Sequence, residues 1–184
     1  MKRTLDLDNA RMLADLIVQE VAPYCSRVEV AGSIRRGCRQ VHDVDLVCIP
    51  HSPTALWARF TRRSTSILQG TKIWRFETRH QVQLDVYLAE DREPELFDAR
   101  PSNWGSAMVL RTGSAGHNIW LVERAKRMGM QWHTEFGVYD PRGEFLAGET
   151  EAEIFAALGL PYIEPAERIG SLSAERYPLE AIYA

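Results

Sequence analysis

The sequence predicts an α+β protein, on three observations. Two apolar runs, Val28 to Ala31 and Leu46 to Ile49, read as buried strands on either side of a short polar turn. Two later segments, Lys72 to Thr78 and Gln81 to Ala89, alternate in polarity and read as paired strands joined by a turn at Arg79-His80. Stripes at helical spacing separate and follow these strands.

The first stripe is Leu7 to Val21, with Ala10, Leu13, Ala14, Ile17 and Val21 on one face and Asp6 or Asp8 placed to cap it. Pro23 ends it. The strands Arg27 to Ala31 and Asp43 to Ile49 follow, and Pro50 and Pro53 close the second. Thr54 to Phe60 begins another helix that runs into Arg62-Arg63. After the hairpin, Glu90 to Arg100 is charged and punctuated by proline, the best place for a boundary. This divides the chain into residues 1–100 and 101–184.

Beyond that point, Ser102 or Asn103 caps a short helix through Leu110, broken by Thr112 to Gly116. His117 to Met128 is a helix with Ile119, Val122, Ala125 and Met128 on its apolar face, and Gly129 ends it. Phe136 to Tyr139 and Glu144 to Ala147 form a hairpin about Asp140 to Gly143. Thr150 and Glu153 make a capping box for a helix to Leu158. The tail from Pro161 to Ala184 has scattered prolines and no firm period, and is expected to be extended.

Composition narrows the class. Across 184 residues, 45% apolar and 26% charged is the balance of an ordinary water-soluble domain with a sizeable core. The first residues carry Lys2 and Arg3 but no apolar run behind them, which is not a signal peptide. No apolar stretch nears the about 18 residues that span a bilayer. A cytoplasmic, soluble protein with no membrane partner is expected. Cys25, Cys38 and Cys48 lack metal-finger spacing and fit reduced thiols. Net charge is −3, yet Tyr24 to Arg127 holds 16 basic against 11 acidic residues, and Met128 to Ala184 holds 3 against 10. The basic middle suits phosphates, although two solvated surfaces of unequal charge would look the same.

The chemistry concentrates in Gly32 to Asp45. Asp43 and Asp45 lie two apart in a strand and so share a face. Carboxylates held that close repel unless a hard cation lies between them, and oxygen ligands suit Mg2+ or Mn2+. The Gly32-Ser33 turn offers backbone N–H groups and a hydroxyl to phosphate, with Arg36 adding charge. A magnesium-bound nucleoside triphosphate satisfies both halves. Asp85 shares its strand face with Gln83 and Tyr87, and beside Asp43 and Asp45 it completes a three-carboxylate cluster. The bland alternative is aspartates on strand edges, which the apolar setting of all three argues against. His42 and His117 have no partner at ligand spacing and receive no metal role. The five tryptophans read as core, with Trp120 lying off the apolar face of its helix as a candidate base-stacking platform.

Taken together these motifs resemble a known family. Gly32-Ser33-x-Arg35-Arg36-Gly37 followed by Asp43-x-Asp45 resembles the nucleotidyltransferase signature of the family X, polymerase beta-like, DNA polymerases. Thr112-Gly113-Ser114-x-x-His117-Asn118-Ile119, then Ala125-Lys126-x-x-Gly129, resembles the segment with which that family covers the nascent base pair. Phe136 to Asp140, Ala147 to Glu153 and Leu158 to Pro165 resemble later family motifs in the same order. The resemblance implies a nucleotidyltransferase palm, with a mixed, largely antiparallel sheet and helices on one face, followed by a small α+β thumb-like subdomain.

It also implies roles. Asp43 and Asp45 would bridge two Mg2+ ions, replaceable by Mn2+, and Asp85 would ligate the catalytic one and accept the primer hydroxyl proton. Gly32, Ser33 and Arg36, with the backbone around His42, would hold the triphosphate. Gly113 and Ser114 would approach the sugar, and Asn118 the incoming base. The implied activity is metal-dependent DNA synthesis on primer-template or gapped DNA from a dNTP in repair, with repair partner proteins unidentified.

The departures matter too. Leu110 and Arg111 stand where the family has two aromatic residues that check the sugar, and Val122 stands where it commonly has an arginine facing the template. Low fidelity and weak sugar discrimination are therefore expected, unless Arg124 or Arg111 substitutes. The length fits a palm and thumb without the lyase and helix-hairpin-helix lobe or a phosphoesterase domain. Two other readings stand beside this one: a template-independent transferase acting on a nucleic-acid end or a small acceptor, and a non-catalytic nucleic-acid-binding module.

Overall fold

Capping and chain reversal set the first elements. The structure, a computed structural model, describes residues 4–91, 102–133 and 136–179. The chain forms two compact units, Met1–Ala89 and Glu90–Ala184. The division falls at the start of the proline-punctuated stretch and not at residue 100, and most of that stretch lies outside the described residues.

In the first unit, β1 (Leu5–Asp6) leads into α1 (Leu7–Val21), whose N-cap is Asp6, with its carboxylate accepting from the Asn9 backbone N–H at 2.9 Å. Then come β2 (Cys25–Val30), a single helical turn α2 (Gly32–Arg35), β3 (Gln40–Val41) and β4 (Asp43–Pro50). Ser52 caps α3 (Pro53–Thr61). The strands β5 (Ser64–Gln69), β6 (Ile73–Thr78) and β7 (Gln83–Leu88) complete the unit. β1 pairs with β3, and the other five form one sheet in the order β2-β4-β7-β6-β5. Only the β4–β7 contact is parallel in that sheet, so it is mixed and largely antiparallel.

One sheet face carries the core. Val44, Leu46 and Cys48 of β4, Leu84 and Val86 of β7, and Trp74 and Phe76 of β6 cluster with Ala10, Ala14 and Val21 of α1 and Leu56 and Phe60 of α3. Phe76 stacks on Phe60 at 5.0 Å and meets Trp57 at 5.0 Å. Each such side chain contributes on the order of 1.5–3 kcal/mol by leaving water. Strand alternation then forces Asp43, Asp45, Gln83, Asp85 and Tyr87 onto the opposite face.

β5 was not expected from the sequence. All but the first of its residues are exposed and it sits at the sheet edge, so no buried face imposes a period of two on it.

In the second unit, α4 (Trp104–Thr112) begins after Ser102, whose hydroxyl accepts from the Trp104 N–H. α5 (Ala115–Arg127), the strands β8 (Gln131–His133), β9 (Gly137–Tyr139) and β10 (Phe145–Ala147), and the helices α6 (Glu151–Ala157) and α7 (Gly170–Arg176) follow. The capping box at Thr150 and Glu153 is present. α7 replaces part of the extended tail, and β8 adds a third strand to the expected hairpin.

The face of α5 is a correction. Its buried stripe is His117, Trp120, Leu121, Arg124 and Ala125, and Ile119 is 60% exposed. Trp120 is core and not a stacking platform. Two polar groups of that stripe find partners: Arg124 Nε donates to the Leu158 carbonyl at 2.6 Å, and His117 Nδ1 meets Ser173 Oγ at 2.8 Å. Arg168, fully buried, pairs with Glu151 at 2.7 Å, donates to the Ile163 carbonyl and lies over Phe155.

Phe76→Ala is expected to destabilise the first unit by about 3–5 kcal/mol through lost burial and a cavity, while Met12→Ala on the exposed side of α1 stays within about 0.5 kcal/mol. Urea unfolding monitored by circular dichroism reads both.

Candidate active site

The site grows from the parallel pairing of β4 and β7, whose register sets Asp43 opposite Gln83 and Asp45 opposite Asp85. β6 pairs with β7 on the other side and sets Arg75 opposite Asp85. Three carboxylates and one guanidinium therefore occupy neighbouring positions on one sheet face.

Asp85 is 3% exposed and strongly held. Arg75 donates to it in bidentate fashion, Nε to Oδ1 and Nη2 to Oδ2, both at 2.7 Å, and Gln83 Nε2 donates to the same oxygens at 3.2 and 3.1 Å. Paired guanidinium and carboxylate planes of this kind are among the stronger ionic contacts in proteins.

Asp45 is held differently. Burial, and then repulsion from Asp43 and Asp85, push its carboxyl up to about 7, against a hydrogen bond from Tyr87 and the positive charge of Arg36. A carboxyl in this condition is short of positive charge. Gly32, with φ +60°, lies so close that a Cβ there would overlap the Asp45 carboxylate. Only glycine combines that backbone conformation with that approach. The Ala31 N–H donates to the Asp45 carbonyl at 2.8 Å and fixes the turn against β4.

The turn itself is α2. Ser33 Oγ is enclosed with no hydrogen-bond partner among the described residues. Arg36 follows as the C-cap of α2. His42 is exposed and its Nδ1 meets Thr4 Oγ1 at 3.1 Å.

The donor set is suited to a hard divalent cation: oxygen ligands only, with one carboxyl short of compensating charge. Among the described residues, though, no three metal-ligating side chains are arranged to share an ion as they stand. Asp85 has given both oxygens to Arg75.

The remaining sequence-selected residues belong to the second unit. Gly113 has φ +72° and is buried, and Ser114 caps α5 by accepting from the His117 N–H. Asn118 Nδ2 donates to the Leu110 carbonyl at 2.7 Å, and its Oδ1 is enclosed without a partner among the described residues. Leu110 and Val122 are half-buried and Arg111 is exposed. Arg124 Nε is occupied with the Leu158 carbonyl.

Sequence reasoning missed Arg75. The signal was within reach: a three-residue loop between β6 and β7 puts it opposite Asp85, whereas the two-residue turn at Arg79-His80 puts Trp74 there. The structure has the longer loop, with Thr78 and Val82 as the closing pair and Gln81 at φ 60°.

Comparison with known proteins accords with this architecture. Residues 107–169 match the family model of the DNA polymerase beta thumb. The chain resembles polymerase beta of Leishmania infantum in a ternary gap complex, with TM-score 0.72 and 14% identity over 90% of this chain and 71% of that one. It also resembles the same polymerase in a ternary P/T complex, with TM-score 0.68 and 16% identity over 91% of this chain and 77% of that one. No curated protein matches by sequence. The fold is thus of the polymerase beta class, an α+β palm followed by a thumb.

Two results are expected. Gly32→Ala should displace Asp45 and lower the melting temperature, with Gly37→Ala, where a Cβ meets no atom within 4 Å, as the control for positive φ alone. The raised Asp45 carboxyl also has a pH signature. An unfolded aspartate releases its proton near 3.8 and the folded one near 7, so its contribution to stability is complete below about pH 4 and is lost as pH rises through 7. Melting in EDTA at pH 5 and pH 8 should show a smaller difference in Asp45→Asn than in the unchanged chain.

Proposed function

We propose that this chain is a metal-dependent nucleotidyltransferase that adds deoxynucleotides to a primer 3′-hydroxyl on primer-template or gapped DNA. The observation that carries the proposal is the β4–β7 register, which sets Asp45 opposite Asp85 with Asp43 on the same face. In this reading Asp43, Asp45 and Asp85 would hold two Mg2+ ions. Bound there, the ions would lower the pKa of the 3′-hydroxyl and neutralise charge on the triphosphate.

The chain's own residues supply the rest. Asp85 accepts the hydroxyl proton. The unpartnered Ser33 hydroxyl and the charge of Arg36, carried on the turn beside Asp45, hold phosphate oxygens. Gly32 lets that turn approach the carboxylate without a side chain between them. In the second unit, Asn118 and the Gly113 turn contact the nucleotide, a role that rests on the Thr-Gly-Ser…His-Asn motif. Short-gap filling in repair is the biological setting we favour, with low fidelity.

A second reading has one specific support. Leu110, Arg111 and Val122 lack the groups that check sugar and template, and Arg124 is buried against Leu158, so a template-independent transferase fits that surface.

The test is a matrix of labelled single-stranded, primer-template and one-nucleotide-gap DNA against deoxy- and ribonucleotides, with Mg2+ or Mn2+. Template-directed extension, reduced at least about a thousandfold by Asp43→Ala or Asp45→Ala, supports the first reading. Equal incorporation of all four nucleotides opposite a fixed template base supports the second. Incorporation that survives both substitutions contradicts the mechanism.

A further inference from the structure

We infer that Arg75 is the resident cation of Asp85, and that a divalent ion enters the site by exchange, taking Asp85 from the Arg75 guanidinium. This rests on the metal reading above and adds a positioning residue to it. Asp85 is 3% exposed and both of its oxygens accept from Arg75 at 2.7 Å. A buried carboxylate needs a compensating charge, and here the protein supplies one from the neighbouring strand.

The guanidinium and the ion cannot hold Asp85 together in the arrangement seen. Three donor groups already converge on the two oxygens, namely Nε and Nη2 of Arg75 and Nε2 of Gln83. A dication beside the guanidinium also repels it. Arg75 has a route outward, since its side chain is 36% exposed while that of Asp85 is 4% exposed. It moves toward solvent, and Asp85 turns from the guanidinium to the ion with Gln83 still beside it.

The exchange has a measurable consequence. When the competent form of a site is only a fraction of the population, apparent affinity falls by that fraction, and removing the competitor restores it. Mn2+ binding to the full chain, without DNA or nucleotide, is titrated by the loss of the free-ion electron paramagnetic resonance signal. Arg75→Gln should bind Mn2+ about tenfold more tightly than the unchanged chain. Arg75→Lys keeps the charge but loses the two-point contact, and should bind Mn2+ with an affinity between those of Arg75→Gln and the unchanged chain. Unchanged or weaker binding in Arg75→Gln overturns the inference, because Arg75 then does not compete.

A second measurement uses the unchanged chain and does not depend on the folding of a variant. The Arg75 Nε–H resonance, assigned by its absence in Arg75→Lys, should shift as Mg2+ is added. No shift while Mn2+ binds would overturn the exchange and leave the metal reading standing. If the unchanged chain binds no Mn2+ and Asp45→Asn behaves identically, the metal reading fails and this inference fails with it.

Discussion

The parallel contact between β4 and β7 is the constraint on which the candidate site depends. Every other contact in the five-stranded sheet is antiparallel, yet this one places Asp45 beside Asp85 and keeps Asp43 on the same face. Apolar burial fixes the register. Val44, Leu46, Leu84 and Val86 fill the core on the other face, and sliding β7 by one residue would drive Asp85 into that core. The carboxylates are thus held together by groups that never touch them. Burial, and after it repulsion from Asp43 and Asp85, raise the Asp45 carboxyl, while Asp85 is paired with Arg75.

The second unit handles buried polarity in another way. Arg168 is enclosed with Glu151 and the Ile163 carbonyl, Arg124 with the Leu158 carbonyl, and His117 with Ser173. Burial, with the nearby Arg168 charge, pulls His117 down to about 4, so it is neutral near pH 7. These contacts bind helices and loops of the unit to one another, and leaving any one partner unmatched would cost more than the pair contributes. They also explain why the helix carrying Asn118 presents Ile119 outward and Trp120 inward.

Much of this was legible in the sequence, and the omissions have physical causes. The palm strands declare themselves because one face is buried and the other is polar, and the same alternation placed Asp43, Asp45, Asp85, Gln83 and Tyr87 together. Caps at Asp6 and Thr150 bind by local hydrogen bonds that need no tertiary information. β5 has no buried face to write a pattern, so it left none. The α5 stripe was misread because Arg124 and His117 count as polar until Leu158 and Ser173 supply their partners. Arg75 was hidden by a single residue of loop length. A two-residue turn and a three-residue loop look alike in composition, but they assign opposite strand faces to everything upstream.

The central claim is that Asp43, Asp45 and Asp85 form a divalent-cation site that serves a nucleoside triphosphate. The most direct measurement is anomalous diffraction at the manganese edge from crystals of the full chain grown with Mn2+ and a non-hydrolysable deoxynucleoside triphosphate. The account predicts anomalous peaks within about 2.0–2.3 Å of oxygens of Asp43 and Asp45, with phosphate oxygens on the same ions and the triphosphate against the Ser33 turn. A triphosphate bound elsewhere, or bound here with no anomalous peak at these carboxylates, would contradict it.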